Sequence, residues 1–329
     1  MNKTSVKKYI QSIIIFCFLV LIIHYFRGHQ EELKLLAKIR ISDALLLIGA
    51  TLGIYYSHAT NVLMILRKVG LKGISLYAWF RMFIIARYIN FHVTQGRTVY
   101  LLYKLKKEHN LSYTQGLSMM VFLSWYYAVT IFIFCFLMLG AFHTNISIKG
   151  HNLSAWLFVI IVTTALMPIY LKLILRLPLR HPKLNNFEDR VNSFLQGFQT
   201  NLQDKIHLVK LTLYCLIQFI LYFFMVYVSF RAIDFNLDMP SLALFTFTLI
   251  ISKYYSIVPG NIGITEMLCG ALTVKMGGEL SNGIIVSSLI RIIDYLLVTI
   301  LGIIFAKSST PINAEQLQNI KDENPFQKR

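Results

Sequence analysis

Stretches of about 20 apolar residues recur along this chain, each long enough to cross a hydrocarbon layer roughly 30 Å thick. In lipid, every backbone N–H and C=O has to find a partner within the protein, which leaves helices as the way for such segments to span. The expected fold is therefore an all-α polytopic membrane protein. Composition agrees: 56% of the 329 residues are hydrophobic and 14% are charged, too apolar a balance for an ordinary soluble domain. A net charge of +17 would otherwise suggest nucleic acid. Here the Lys and Arg sit in short loops beside the spans, where they orient a membrane protein and attract anionic phospholipids. No nucleic-acid partner is expected.

Lys3, Lys7 and Lys8 precede a first span, Tyr9–Phe26, read as retained because no small-residue cleavage site follows it. A second span, Ala44–Leu66, begins after a Ser42-Asp43 cap and ends at Arg67 and Lys68. Gly116–Phe142, Ala155–Leu175, His207–Phe230 and Gly283–Phe305 complete about six full spans. Positions Phe187 to Leu202 carry apolar residues at helical spacing between polar ones, an amphipathic surface helix. Counting basic flanks puts both termini in the cytoplasm of a cell inner membrane. Residues 1–307 form the membrane domain, and 308–329 read as a polar, disordered tail.

Two apolar segments do not behave as plain spans. Ile74–Val93 is basic on both flanks and contains Arg81 and Arg87. Ser241–Met276 is broken by Pro259, Gly260 and Gly263 and then carries Glu266. Proline lacks a donor and glycine permits backbone angles other residues avoid, so a regular helix cannot run through. Irregular backbone at membrane depth is tolerated where protein or a watery cavity satisfies it. Both segments are expected to be interrupted or re-entrant hairpins, one dipping from each side, as in a transporter built on an inverted repeat.

Ionisable side chains inside apolar segments mark the candidate site, because lipid penalises them. Glu266 either favours the positive end of a short helix or handles a proton or cationic headgroup. Arg291 and Asp294 are three residues apart and share a face, as an internal pair or as substrate ligands. Lys253 either binds phosphate or snorkels toward an interface. A helix starting after Gly263 would offer free N–H groups to a lipid phosphate. Arg97 is either the matching group of the first interrupted segment or a cytoplasmic anchor. Trp125, Tyr126 and Tyr127 either stack on a sugar or pack between helices. The histidines have no ligand spacing, the four cysteines read as small buried side chains, and no metal or cofactor is expected.

Pro259-Gly260-Asn261-Ile262-Gly263-Ile264-Thr265-Glu266, followed by a last span carrying Arg291, resembles the membrane region of the lysylphosphatidylglycerol synthase family, also called the flippase-like integral membrane family. Gly96-Arg97, leading into Tyr100-Leu101-Leu102-Tyr103-Lys104, looks like a degenerate form of that family's earlier Gly-Glu motif. Two departures stand out: Arg97 takes the place of a glutamate, and Ser124-Trp125-Tyr126 stands where the family tends to have Glu-Arg. The resemblance implies a stand-alone member without the aminoacyl-transferase domain. It would move or bind a lipid or lipid-linked glycan in cell-envelope assembly, beside envelope-synthesis enzymes. A membrane-embedded glycosyl- or aminoacyl-transferase and a non-catalytic scaffold are the rival readings. Against an enzyme, the chain has no Asp-x-Asp motif and no cytoplasmic cluster for a nucleotide's metal.

Overall fold

The computed structural model describes residues 27, 39–71, 73–93, 96–141, 147–148, 151–167, 169–170, 198–254 and 261–307. Its described elements are helices, apart from a two-residue antiparallel ladder that pairs Ser147 with Asn152 and Ile148 with His151. The helices are α1 (Ile41–Lys68), α2 (Leu76–His92), α3 (Gly96–His109), α4 (Tyr113–Ala141), α5 (Leu153–Ala165), α6 (Lys205–Ala232), α7 (Met239–Tyr254), α8 (Ile264–Lys275) and α9 (Leu280–Lys307). The span expected at Tyr9–Phe26 and the expected tail lie outside the described residues, as does most of the expected amphipathic helix.

Among the described helices, α4, α6 and α9 are long and apolar enough to cross a membrane. Helix α1 is equally long at 28 residues, about 42 Å at ~1.5 Å per residue. Its buried face carries Tyr55, Ser57 and Asn61, which dilute its apolar character. Helices α7 and α8 have 16 and 12 residues, about 24 and 18 Å, and each falls short of a roughly 30 Å core.

Ion pairs at both ends set α1 antiparallel to α6. Asp43, in the first turn of α1, meets Arg231 in the last turn of α6 at 2.6 Å. At the other end Lys68 reaches Asp204 at 3.4 Å and the Thr200 carbonyl at 3.0 Å. Asp204 also caps α6 by accepting from the His207 N–H at 3.0 Å. That bond first, and then the Lys68 charge, hold its carboxyl below the usual carboxylate range. The part-exposed Lys68–Asp204 pair fixes direction more than it stabilises, whereas Asp43 is buried beneath Arg231.

Helix α9 is the common neighbour of α8 and α2, and small residues bring it close. A Cβ on Gly283 would lie 2.4 Å from the Cys269 carbonyl oxygen and from Thr273 Oγ1, and one on Gly302 would lie 2.9 Å from Tyr88 Cβ. Close backbone approach at glycine is a recurrent way of packing helices in lipid.

Helix α5 ends at Ala165, within the expected Ala155–Leu175 span, of which residues 168 and 171–175 lie outside the described residues. Near that end Trp125 Nε1 donates to the Thr164 carbonyl at 2.7 Å. The indole also packs against Phe122 and Phe198, so Trp125 works between helices. Tyr126 does likewise, its hydroxyl meeting the Leu208 carbonyl at 3.0 Å.

Two apolar clusters divide the interior. One, containing Trp79, Phe83 and Phe122, joins α1 to α2, α3 and α4. The other, containing Phe230, Phe245 and Val286, joins α6, α7 and α9. A cavity of about 340 Å³ lies between them, walled by Leu101 and Leu123 of the first and by Tyr127 and Ile290 of the second.

Candidate functional site

Both interrupted segments reach this cavity. Arg87 of α2 and Arg97 of α3 come from the first; Lys253 of α7, Asn261 and Thr265 of α8 come from the second. Helix α9 adds Ser287, Arg291 and Asp294. At the described end of the break, Asn261 and Gly263 have φ of 51° and 85°, left-handed backbone that a residue with a branched side chain resists. Pro259 and Gly260 lie outside the described residues.

Glu266 is 4% exposed and stands behind the cavity wall. One oxygen receives Arg291 Nε at 2.8 Å and the other receives the Gly263 N–H at 2.7 Å. The expectation of free N–H groups there for a lipid phosphate needs correction at Gly263: the helix's own carboxylate takes that donor. Arg291 also donates through Nη2 to the Asn261 carbonyl at 3.2 Å. Glu266 thus ties the arginine to the break and fixes where its guanidinium sits.

Arg291 and Asp294 share the cavity face of α9 and have separate partners. Asp294 is buried and takes Arg87 Nη2 on both oxygens, at 3.0 and 3.1 Å. It also accepts from the Tyr55 hydroxyl and meets Lys253 at 3.7 Å. The Arg87 guanidinium lies over the Tyr55 ring at 4.5 Å, and the Lys253 ammonium over Tyr222 at 4.9 Å. A single carboxylate therefore gathers α1, α2 and α7 onto α9. Arg97 meets His58 Nε2 at 3.0 Å and lies over Phe83 at 4.9 Å.

The balance of charge is positive. Among the described residues, four cationic side chains (Arg87, Arg97, Lys253, Arg291) line the cavity with one carboxylate, Asp294. Glu266 behind them is the second acid, which leaves an excess of two. The lining also holds polar atoms with no hydrogen-bond partner among the described residues: Arg87 Nε, Arg291 Nη1, Asn61 Oδ1 and Gln218 Nε2. Buried polar atoms are normally paired; these four are sealed within the wall, behind the cavity surface. Sequence reading nominated neither Asn61 nor Gln218, and treated Arg87 only as an interruption.

The sequence profile of the family described as "Lysylphosphatidylglycerol synthase TM region" matches residues 9–302. The chain belongs to this family. Membership places it among membrane proteins of lipid and envelope biology. No curated protein and no solved structure matches it. Arg97 and Ser124 are both on the cavity wall.

Proposed function

We propose that this member of the family is a flippase-like protein of the inner membrane that binds a lipid or lipid-linked glycan and moves its headgroup across the bilayer. The headgroup occupies the cavity while the acyl chains stay in lipid. The observation that carries the reading is a cavity between apolar helices whose described lining gathers four cationic side chains and one carboxylate. Charge in such surroundings is expensive unless it serves a polar cargo or closes an internal pair. Here the cations outnumber the acids among the described residues.

In this reading the two interrupted segments are re-entrant hairpins related by an inverted repeat, and the cavity forms where they meet. Arg87, Arg97, Lys253 and Arg291 attract the headgroup, while Glu266 and Asp294 hold the cations in place. The chain performs no covalent chemistry. Substitution at Arg97 and Ser124, relative to the family's usual residues, adapts the chamber to a headgroup other than aminoacylated phosphatidylglycerol.

The test is flux in reconstituted liposomes over a panel of headgroup-labelled native lipids. Wild-type protein is expected to equilibrate at least one lipid between leaflets, and Glu266→Ala to slow it at equal protein content. Equal flux from both proteins on every lipid rejects the proposal.

A further inference from the structure

Two pairs of helices, α1 with α6 and α8 with α9, both contribute to the chamber wall, and each pair is tied along its length. Ion pairs join α1 to α6 at both ends. Between those ends Thr51 Oγ1 donates to Met225 Sδ at 3.7 Å, Ser57 Oγ to the Tyr214 carbonyl at 3.3 Å and Asn61 Nδ2 to Cys215 Sγ at 3.8 Å. The Glu266–Arg291 pair joins α8 to α9, and so does close packing at Gly283 and at Gly270, where a Cβ would lie 2.9 Å from the Leu280 carbonyl oxygen. Ties spread along a helix pair make it move as one frame.

The two frames meet each other differently. Phe219, Met225 and Val226 of α6 share an apolar cluster with Ile285, Ile290 and Ile293 of α9. Apolar contact is non-directional and lets surfaces shift, whereas a hydrogen bond holds one geometry. Among the described residues, one side chain of the first frame hydrogen-bonds to the second. It is the fully buried Tyr55, whose hydroxyl donates to Asp294 Oδ1 and lies 3.0 Å from the Asp294 carbonyl oxygen.

Helix α2 touches the two frames at different points. Near its start Trp79 Nε1 donates to the Ala59 carbonyl of α1 at 2.8 Å, and just before it the Ile74 carbonyl accepts from Arg67 at 3.3 Å. About 12 Å farther along, Arg87 is bound to Asp294 and Tyr88 lies against Gly302 of α9. One end of α2 is thus fixed to the first frame and the rest to the second, which is the layout of a hinge.

We infer that Tyr55 is a latch. Its bond to Asp294 holds the α8–α9 frame against the α1–α6 frame, and its release swings them apart about Trp79, opening the chamber at the Asp294 end. The device holds whether or not the cargo is a lipid.

Maleimide labelling of the full chain in nanodiscs tests it, read peptide by peptide by mass spectrometry in a Cys17→Ser background. Ser287 lines the chamber on α9 and is 1% exposed. A cysteine there reacts when the frames part, at a rate that follows the open fraction. Cys215 and Cys269 serve as internal controls, the first bonded to Asn61 within one frame and the second at the Gly283 contact within the other. Tyr55→Phe keeps the ring under Arg87 and removes the bond. It should raise labelling of Ser287→Cys about tenfold, the scale of one hydrogen bond to a charged group, with Cys215 and Cys269 unchanged. Tyr56→Phe, the same change one residue along at an exposed position, should have no effect. An unchanged rate in Tyr55→Phe overturns the inference, as does a rise shared by Cys215 and Cys269 or by Tyr56→Phe. If Tyr55→Phe fails to accumulate, the parent protein decides: Ser287→Cys should label faster than Cys215 and Cys269, and equal rates overturn the latch.

Discussion

Arg291 and Glu266 meet at 2.8 Å across the seam between α9 and α8, and the other Glu266 oxygen binds the Gly263 N–H. The acid thereby joins the helix break to the span behind it. Glu266→Gln leaves Arg291, part-buried with its side chain 20% exposed, beside a neutral partner, at a cost of about 3 kcal/mol, the low end for a broken buried pair. Replacing both residues, Glu266→Gln with Arg291→Met, should recover a good part of that loss. A double-mutant cycle of thermal unfolding in detergent measures it, and purely additive effects would show that the pair is uncoupled.

The cations around Asp294 should not contribute equally. Arg87 makes two contacts with it and is 14% exposed in its side chain, whereas Lys253 stands 3.7 Å away at 32%. Arg87→Met is expected to lower the unfolding temperature clearly and Lys253→Met little, since a distant, part-exposed pair is worth about 0–1 kcal/mol. A larger shift from Lys253→Met than from Arg87→Met would reverse the assignment.

Trp125 Nε1 donates to the Thr164 carbonyl, a bond from α4 to α5. Trp125→Phe keeps the ring packing and removes that donor, so it should destabilise by about 1–3 kcal/mol. An unchanged melting temperature for Trp125→Phe would show that the bond contributes nothing.

Gly283 and Gly49 make a matched pair of tests. A methyl at Gly283 has nowhere to go between Cys269 and Thr273, while one at Gly49 meets nothing within 4 Å. Gly283→Ala should cost about 1–3 kcal/mol through overpacking, and Gly49→Ala should be neutral or gain up to about 1 kcal/mol of helix propensity. Melting curves of the two variants decide.

The sign of the cavity's field can be read with thiol reagents. Thr98 lines the cavity beside Arg97, and Cys135, Cys215 and Cys269 are buried. In a Cys17→Ser background, Thr98→Cys should react several-fold faster with an anionic methanethiosulfonate than with a cationic one, and added salt should shrink the ratio. Faster reaction with the cationic reagent would contradict a positive chamber.

The class of fold and the interruption before α8 were legible because they depend on local chemistry: apolar runs of spanning length, and glycine and proline where a helix cannot continue. Glu266, Arg291 and Asp294 stood out for the same reason, as charges in apolar sequence. Their partners were hidden. Arg87 meets Asp294 from 207 residues away, and no spacing rule reaches that far. Arg291 and Asp294 look like a pair in sequence but turn to different helices. The neutral polar residues were harder still, since Asn61 and Gln218 resemble the scattered polar residues of any span. One signal was present on α1, where Tyr55, His58 and Asn61 repeat every third position on one helical face.

The glycine contacts between α8 and α9 have a mechanical consequence. With backbone lying against backbone at Gly283 and Cys269, the two helices have no cushion of side chains over which to slide, and the Glu266–Arg291 clasp pins the same seam. They travel as one rigid strut. Helix α7 is joined to that strut where Ser252 meets Asn261 and Thr265, so a displacement of the seam carries the end of α7, and Lys253 with it, past Asp294.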